Sequence, residues 1–447
     1  MFLAMMSLLS LSLLLSVPGA EPVSLCDIRR FGAVADDGVA DTRAIQAAID
    51  RCAGSGERVV IPAGQFDSGG LTLRSNLALH LAGGARLAMS TAFGDYAPRA
   101  ELDGERALIH AHGVANVEIS GTGVIDGMAA PIYARMAQII AANPDDPEAD
   151  RRVRFGLMFS DCTNVRLRDI TIRDTPMFLM AVRQCDNVAL DGFTLRAPVD
   201  SHNTDGLQII DSSDVRVTNC SIAVGDDGIT TKAQGARPIE RLLVNNCTIT
   251  SDDGAIKLGT QSRGVLRDSL FSNIAITDSR YGIAAFMIRG GLYANNRFSN
   301  IRIATGGRHR RGYPLFVDID DRERNAATGK MGRIEGLTFD SIDITTGGNM
   351  LISGHPLSPL RDLTLSNIRF RSTEADPIPP GDRKPYGNRR FRPIAGSPDY
   401  AGEAAHLVIG EAQGVQLDAL TLTGKPGSAR PAVLLKNVAE VTGSSRP

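Results

Sequence analysis

The 447-residue sequence has no tryptophan, only six cysteines and only 5 % aromatic residues. Without tryptophan, any carbohydrate site has lost its commonest stacking platform and must use tyrosine or phenylalanine. Six cysteines are too few for a disulfide-stapled scaffold and do not fall at zinc-ligand spacings. The formal charge of −2 lacks the excess of basic residues that a generic nucleic-acid binder carries. Long apolar runs are also missing: beyond the first twenty residues nothing reaches the length of a membrane-spanning helix. Met1–Ala20 itself reads as a secretory signal, its apolar run Leu8–Val17 ending in Pro18-Gly19-Ala20. The expectation is an exported chain, secreted or periplasmic, with no membrane or nucleic-acid partner. Residues 21–447 are expected to form one domain and to act as a monomer.

Glycine, by contrast, is abundant at 46 residues, which implies many tight turns. One clear helix stands near the start: Asp41 is a suitable N-cap, and Ile45, Ala48, Ile49 and Cys52 fall on one face. Strand-like runs follow at Val59–Ile61, Leu71–Leu73 and Leu77–Leu79. The helix is expected to cap the open end of whatever these strands build, pinned by a Cys26–Cys52 disulfide.

From Val117 onward two apolar pairs separated by two residues recur. Examples are Val165-Leu167-Ile170-Ile172, Val188-Leu190-Phe193-Leu195, Val215-Val217-Cys220-Ile222 and Leu242-Val244-Cys247-Ile249. The third apolar position steps from Cys220 to Cys247, Ile274 and Ile301, 27 residues each time. A fixed period built of short alternating runs signals a β-solenoid, an all-β fold in which no repeat stands alone. Cys162, Cys185, Cys220 and Cys247 are read as buried, unpaired thiols in side-chain stacks. Two segments break the rhythm, Met128–Arg152 and Thr373–His406. The second carries Arg383, Lys384, Arg389, Arg390 and Arg392, and another basic run spans Arg308–Arg311. Long loops on a solenoid often wall its binding groove, and these two basic segments favour an anionic ligand.

Three aspartates lie within 23 residues, in Asn203-Thr204-Asp205-Gly206 and Gly225-Asp226-Asp227-Gly228. Burying a carboxylate without a partner costs several kcal/mol, so the cluster requires acid/base chemistry, a cation or a solvated turn. Adjacent strand residues face opposite ways, so Asp226 and Asp227 can share a groove only from a bend. One period beyond Asp226 lies Asp253, and one more reaches Arg280; by the same step Thr230 maps to Lys257. These form a charge ladder, either functional or a structural salt-bridge series.

The Phe31-Gly32-Ala33 opening, the Asp41–Gln46 helix start and Ile61-Pro62-Ala63-Gly64 resemble right-handed parallel β-helix carbohydrate enzymes. The two aspartate motifs are similar to the signature of glycoside hydrolase family 28, whose members hydrolyse pectic chains with inversion and without a cofactor. The resemblance implies Asp226 as general acid and Asp205 and Asp227 as the holders of the attacking water. It also implies an acidic, plant cell-wall polysaccharide as partner. An inverting pair leaves room for a water, roughly 6.5–9.5 Å between carboxyls. Two family elements are missing. The Gly-His-Gly place reads Asp252-Asp253-Gly254, and Ala284, Ala285 and Phe286 replace Arg-Ile-Lys. Lys232, Lys257, Arg280 and Arg289, with Asn203 and Asp253, are the candidates to bind substrate in their stead. A lyase using lysine and calcium, or a non-catalytic sugar-binding solenoid, are the competing expectations.

Overall fold

The computed structural model describes residues 25–98, 104–143, 153–306, 312–320, 329–374, 400 and 402–445. The signal segment, the basic run at 308–311, the second half of the first loop and the arginine-rich part of the second lie outside the described residues.

The alternating runs form short strands, each paired in parallel with the strand one coil away. One coil runs through Ser213–Thr218, Ser221–Val224 and Ile229–Ala233, which belong to three separate parallel faces. The chain is therefore a parallel β-helix. Its hand is the right-handed one that parallel crossovers adopt in about 98 % of cases. Register runs on from coil to coil along the first face, while bulges shift it elsewhere, after Thr231 and after Ile276. On the first face Val59, Leu79, Ile119, Leu167, Leu190, Val217, Val244, Phe271, Phe298, Phe339, Leu365 and Leu417 form one stacked column. Within it Phe271 stacks on Phe298 at 4.7 Å and Phe298 on Phe339 at 5.3 Å. Burial of this ladder, at roughly 25 cal/mol per Å² of apolar surface, is what a single coil could not provide.

The two-residue gap between apolar pairs is a corner. Asn219, Asn246, Asn273 and Asn300 all hold φ of +52 to +56° there. Asparagine tolerates this left-handed backbone, and its amide then donates to the preceding coil, as Asn246 does to Asn219 and Asn300 to Asn273.

Helix α1, Thr42–Cys52, closes the N-terminal end with Ile45, Ala48, Ile49 and Cys52 fully buried. Asp41 occupies the N-cap position, but its carboxylate accepts the Val34 N–H rather than a helix N–H. The Gln46 amide pairs both ways with the backbone of Thr72, acting as the strand partner that an end coil otherwise lacks. The Cys26–Cys52 disulfide is present, with Cα atoms 6.5 Å apart. Cys220 and Cys247 are also a disulfide, which corrects their reading as free thiols. Stacking on adjacent coils places their Cα atoms 4.7 Å apart, so burial in a column itself brings the sulfurs together. Cys162 and Cys185 remain buried thiols. Helix α2, Ala129–Ala142, rises from the first loop segment and is tied to the coil below by a Tyr133 hydroxyl bond to the Pro176 carbonyl. Among the described residues no helix is long and apolar enough to cross a membrane.

Candidate active site

Five successive strands of one face carry the aspartate cluster: β1 (Phe178–Arg183), β2 (Leu207–Ile210), β3 (Ile229–Ala233), β4 (Gly254–Ser262) and β5 (Tyr281–Met287). The acids stand in the bends that lead into these strands, not on the strands themselves. This is how Asp226 and Asp227 both reach one surface. Asp205 N-terminal to β2 and Asp227 N-terminal to β3 are neighbours, since the Gly206 N–H donates to the Asp227 carbonyl. A carboxylate oxygen of Asp205, Asp226 and Asp227 can be chosen so that all three lie within 4.8 Å of one another.

The bend needs its glycines for room. A Cβ on Gly225 would lie 2.2 Å from the Ser201 carbonyl oxygen, and one on Gly228 2.6 Å from that of Ala255. Neither glycine is in the left-handed region, so close approach, not backbone freedom, fixes the residue type.

Each carboxylate has a different set of partners. Asp205, 5 % exposed, accepts the Gln208 amide at 2.8 Å and the Lys232 ammonium at 3.2 Å. Asp227, 4 % exposed, accepts the Lys257 ammonium at 3.0 Å and the Gly254 N–H at 3.3 Å. Asp226 has no lysine. Among the described residues its carboxylate accepts two backbone N–H groups, from Asn203 at 3.1 Å and from Asp227 at 2.9 Å. Burial, together with the Asp205 charge, pushes Asp226 up to about 6, with Asp253 adding to the rise and Lys257 opposing it. Burial pushes Asp227 up as well, against Lys257. That same contact holds Lys257 well above the usual lysine range despite its own burial. With the ammonium donating to two carboxylates at once, the geometry supports the ion pair on this side of the balance.

The predicted ladder is assembled by register. Thr230 pairs with Lys257, and Asp253 lies beside both Lys257 (3.0 Å) and Arg280 (3.5 Å). Lys232 lies over the Phe178 ring at 5.1 Å, Lys257 over Phe286 at 5.7 Å, and Arg280 over Tyr281 at 5.2 Å. Arg289 is elsewhere. It follows the far end of β5, where its N–H bonds Ser262 Oγ, roughly 20 Å of strand away from Arg280. Asn203 reaches the cluster through its backbone, at φ +56°, rather than its amide. Gln208 was missed, although its outward place between inward Leu207 and Ile209 could have shown it.

The model of the family described as Glycosyl hydrolases family 28 matches residues 52–377. The chain belongs to glycoside hydrolase family 28. The chain is 30 % identical over 214 residues to a polygalacturonase of Medicago sativa, covering 47 % of this chain and 49 % of that one. The match spans between 22 % and 49 % of the length of the curated relatives. Among solved structures, the family 28 exopolygalacturonase of Yersinia enterocolitica superposes with a TM-score of 0.71. That match has 19 % identity and covers 95 % of this chain and 79 % of the other. The polygalacturonase of Erwinia carotovora ssp. carotovora gives 0.63 at 19 % identity, covering 80 % and 96 %. At such identities these two likenesses speak for the β-helix fold alone. In this family 28 member the aspartates stand where the chain enters one face of that helix, and the cations beside them lie over Phe178, Phe286 and Tyr281.

Proposed function

We propose that the protein is an exported glycoside hydrolase that cleaves acidic, pectin-type polysaccharide with inversion at the anomeric carbon. Asp226 is the general acid that protonates the leaving oxygen, and Asp205 and Asp227 hold and activate the water. One observation carries this reading: of three clustered carboxyls, two are ion-paired to a lysine each and the third is not. The Lys257 ammonium favours the ionised form of Asp227 against its burial, and crowding keeps a proton on Asp226, which is the division of labour hydrolysis needs. The oxygens are closer than the roughly 6.5–9.5 Å expected of an inverting pair. Two acceptors within 4.8 Å can nevertheless share one water, hydrogen-bonded at about 2.8 Å to each, and the inverting reading rests on that shared water.

The test is to incubate the full-length protein with a panel of pectic chains and follow new reducing ends beside ultraviolet absorbance. Hydrolysis yields saturated products and is indifferent to chelator, and Asp226→Asn lowers kcat by a factor of 10² or more. Unsaturated products that need a divalent ion would replace this reading with a lyase. An Asp226→Asn variant as active as wild type would remove the aspartate from the chemistry.

A further inference from the structure

Lys257 is not offered to a ligand. Only 13 % of its side chain is exposed, and its ammonium donates at 3.0 Å to Asp227 Oδ1 and at 3.0 Å to Asp253 Oδ2. Its remaining side faces the Phe286 ring, 5.7 Å from the centroid. Asp253 is itself fixed twice more, by the Arg280 guanidinium at 3.5 Å and through its N–H to Ser251 Oγ at 3.2 Å. That serine hydroxyl also donates to the Asp226 carbonyl at 2.6 Å, so one coil ties together the bend carrying the acids. Lys232 has the matching place one coil earlier, on Asp205 and over Phe178, but among the described residues it has no second carboxylate.

Resting on the hydrolase reading above, we propose that Lys257 is a positioning residue: anchored by Asp253 and Phe286, it holds Asp227 ionised and separate from its neighbour, so that the one retained proton sits on Asp226. The groups that face this pair are Asp205 from the coil before, Asp226 on the same bend, Lys232 on the strand that bend leads into, and Asp253, Arg280 and the buried Tyr281 hydroxyl from the coils after. Asp227 is nearly inaccessible to water and has no other cation within bonding distance among the described residues. Without Lys257, Asp205, Asp226 and Asp227 would be left with one lysine between them. Like charges at this separation cannot all ionise, so the carboxylate needed to activate water would hold a proton over most of the working range. The substrate-binding role expected of Lys257 and Asp253 gives way here to one in setting the protonation pattern.

The experiment compares kcat and KM from pH 3.5 to 8, on the pectic chain that wild type cleaves fastest, for Lys257→Met, Lys257→Arg and Asp253→Asn. Methionine keeps the stem that packs on Phe286 and removes the charge. The expected result is a loss of kcat by about 10²-fold at acid pH, little change in KM, and an acidic limb displaced to higher pH, with arginine restoring part of both. Asp253→Asn removes a like charge while Lys257 stays on Asp227, so its acidic limb moves the opposite way, to lower pH. If Lys257→Met fails to fold, the Asp253→Asn profile decides alone. A rise in KM with an unmoved pH profile would make Lys257 a substrate ligand and overturn the proposal, as would an unmoved acidic limb in Asp253→Asn. Asp226→Asn is assayed alongside: should it retain wild-type activity, the hydrolase assignment has failed rather than the role of Lys257.

Discussion

Replacing Asp226 by asparagine is expected to make the protein more stable at neutral pH while removing its activity. The carboxyl is raised from 3.8 to about 6 because the folded bend buries it beside Asp205. This rise corresponds to about 3 kcal/mol, since one pH unit of pKa is worth about 1.36 kcal/mol. The native state binds this proton more tightly than the unfolded chain. Its contribution is therefore full below about 3.8 and lost as the pH climbs through about 6, where the crowded carboxyl must ionise. Asparagine never ionises, so the variant gains nothing at pH 3.5 and the whole difference by pH 8. For a cooperative unit of about 400 residues, with an unfolding entropy near 2.1 cal/mol/K per residue, 3 kcal/mol raises Tm by about 4 °C. Differential scanning calorimetry of both proteins across that range measures it. A Tm difference that does not change between pH 3.5 and pH 8, or a variant less stable at pH 8, would refute the account of Asp226 as a crowded, proton-holding acid.

Two further predictions concern the frame around the acids. Gly225→Ala should lower both stability, by about 1–3 kcal/mol, and kcat, because its Cβ meets the Ser201 carbonyl oxygen at 2.2 Å and the bend must move; thermal melts and turnover on one pectic substrate check both. Cys26→Ser should cost about 3–4 kcal/mol, the chain-entropy value for a loop of 26 residues. Peptide mapping without reduction should find the Cys26–Cys52 and Cys220–Cys247 linkages, and free thiols at Cys26 and Cys52 would contradict the pinned cap.

The parts of this molecule that follow from translation along a solenoid were legible in the sequence. A step of 27 residues placed Asp253 beside Arg280 and Lys257 level with Thr230, because the coils around the site have one length and Thr230 stays in register with Lys257. Burial followed from the same alternation, as the core column from Val59 to Leu417 shows. What did not follow was the pairing of side chains across coils. The sequence placed Lys257 near the aspartates but did not say that it would donate to Asp227 and Asp253 rather than face the groove. Nor did it say that Cys220 and Cys247, correctly read as buried, would be close enough to join. Asn203 was expected to bind substrate, and its backbone N–H, at a left-handed residue, instead donates to Asp226. Arg289 was chosen by its charge alone, and the length of β5 carries it away from the cluster.

The central claim is that Asp226 gives a proton while Asp205 and Asp227 deliver water to the opposite side of the sugar. Proton NMR of the first-formed product, recorded before mutarotation, tests this most directly. The account predicts a new reducing end of configuration opposite to that of the bond cleaved. A product that retains the configuration would mean that one of these close-set carboxylates attacks the sugar itself, and would contradict the assignment.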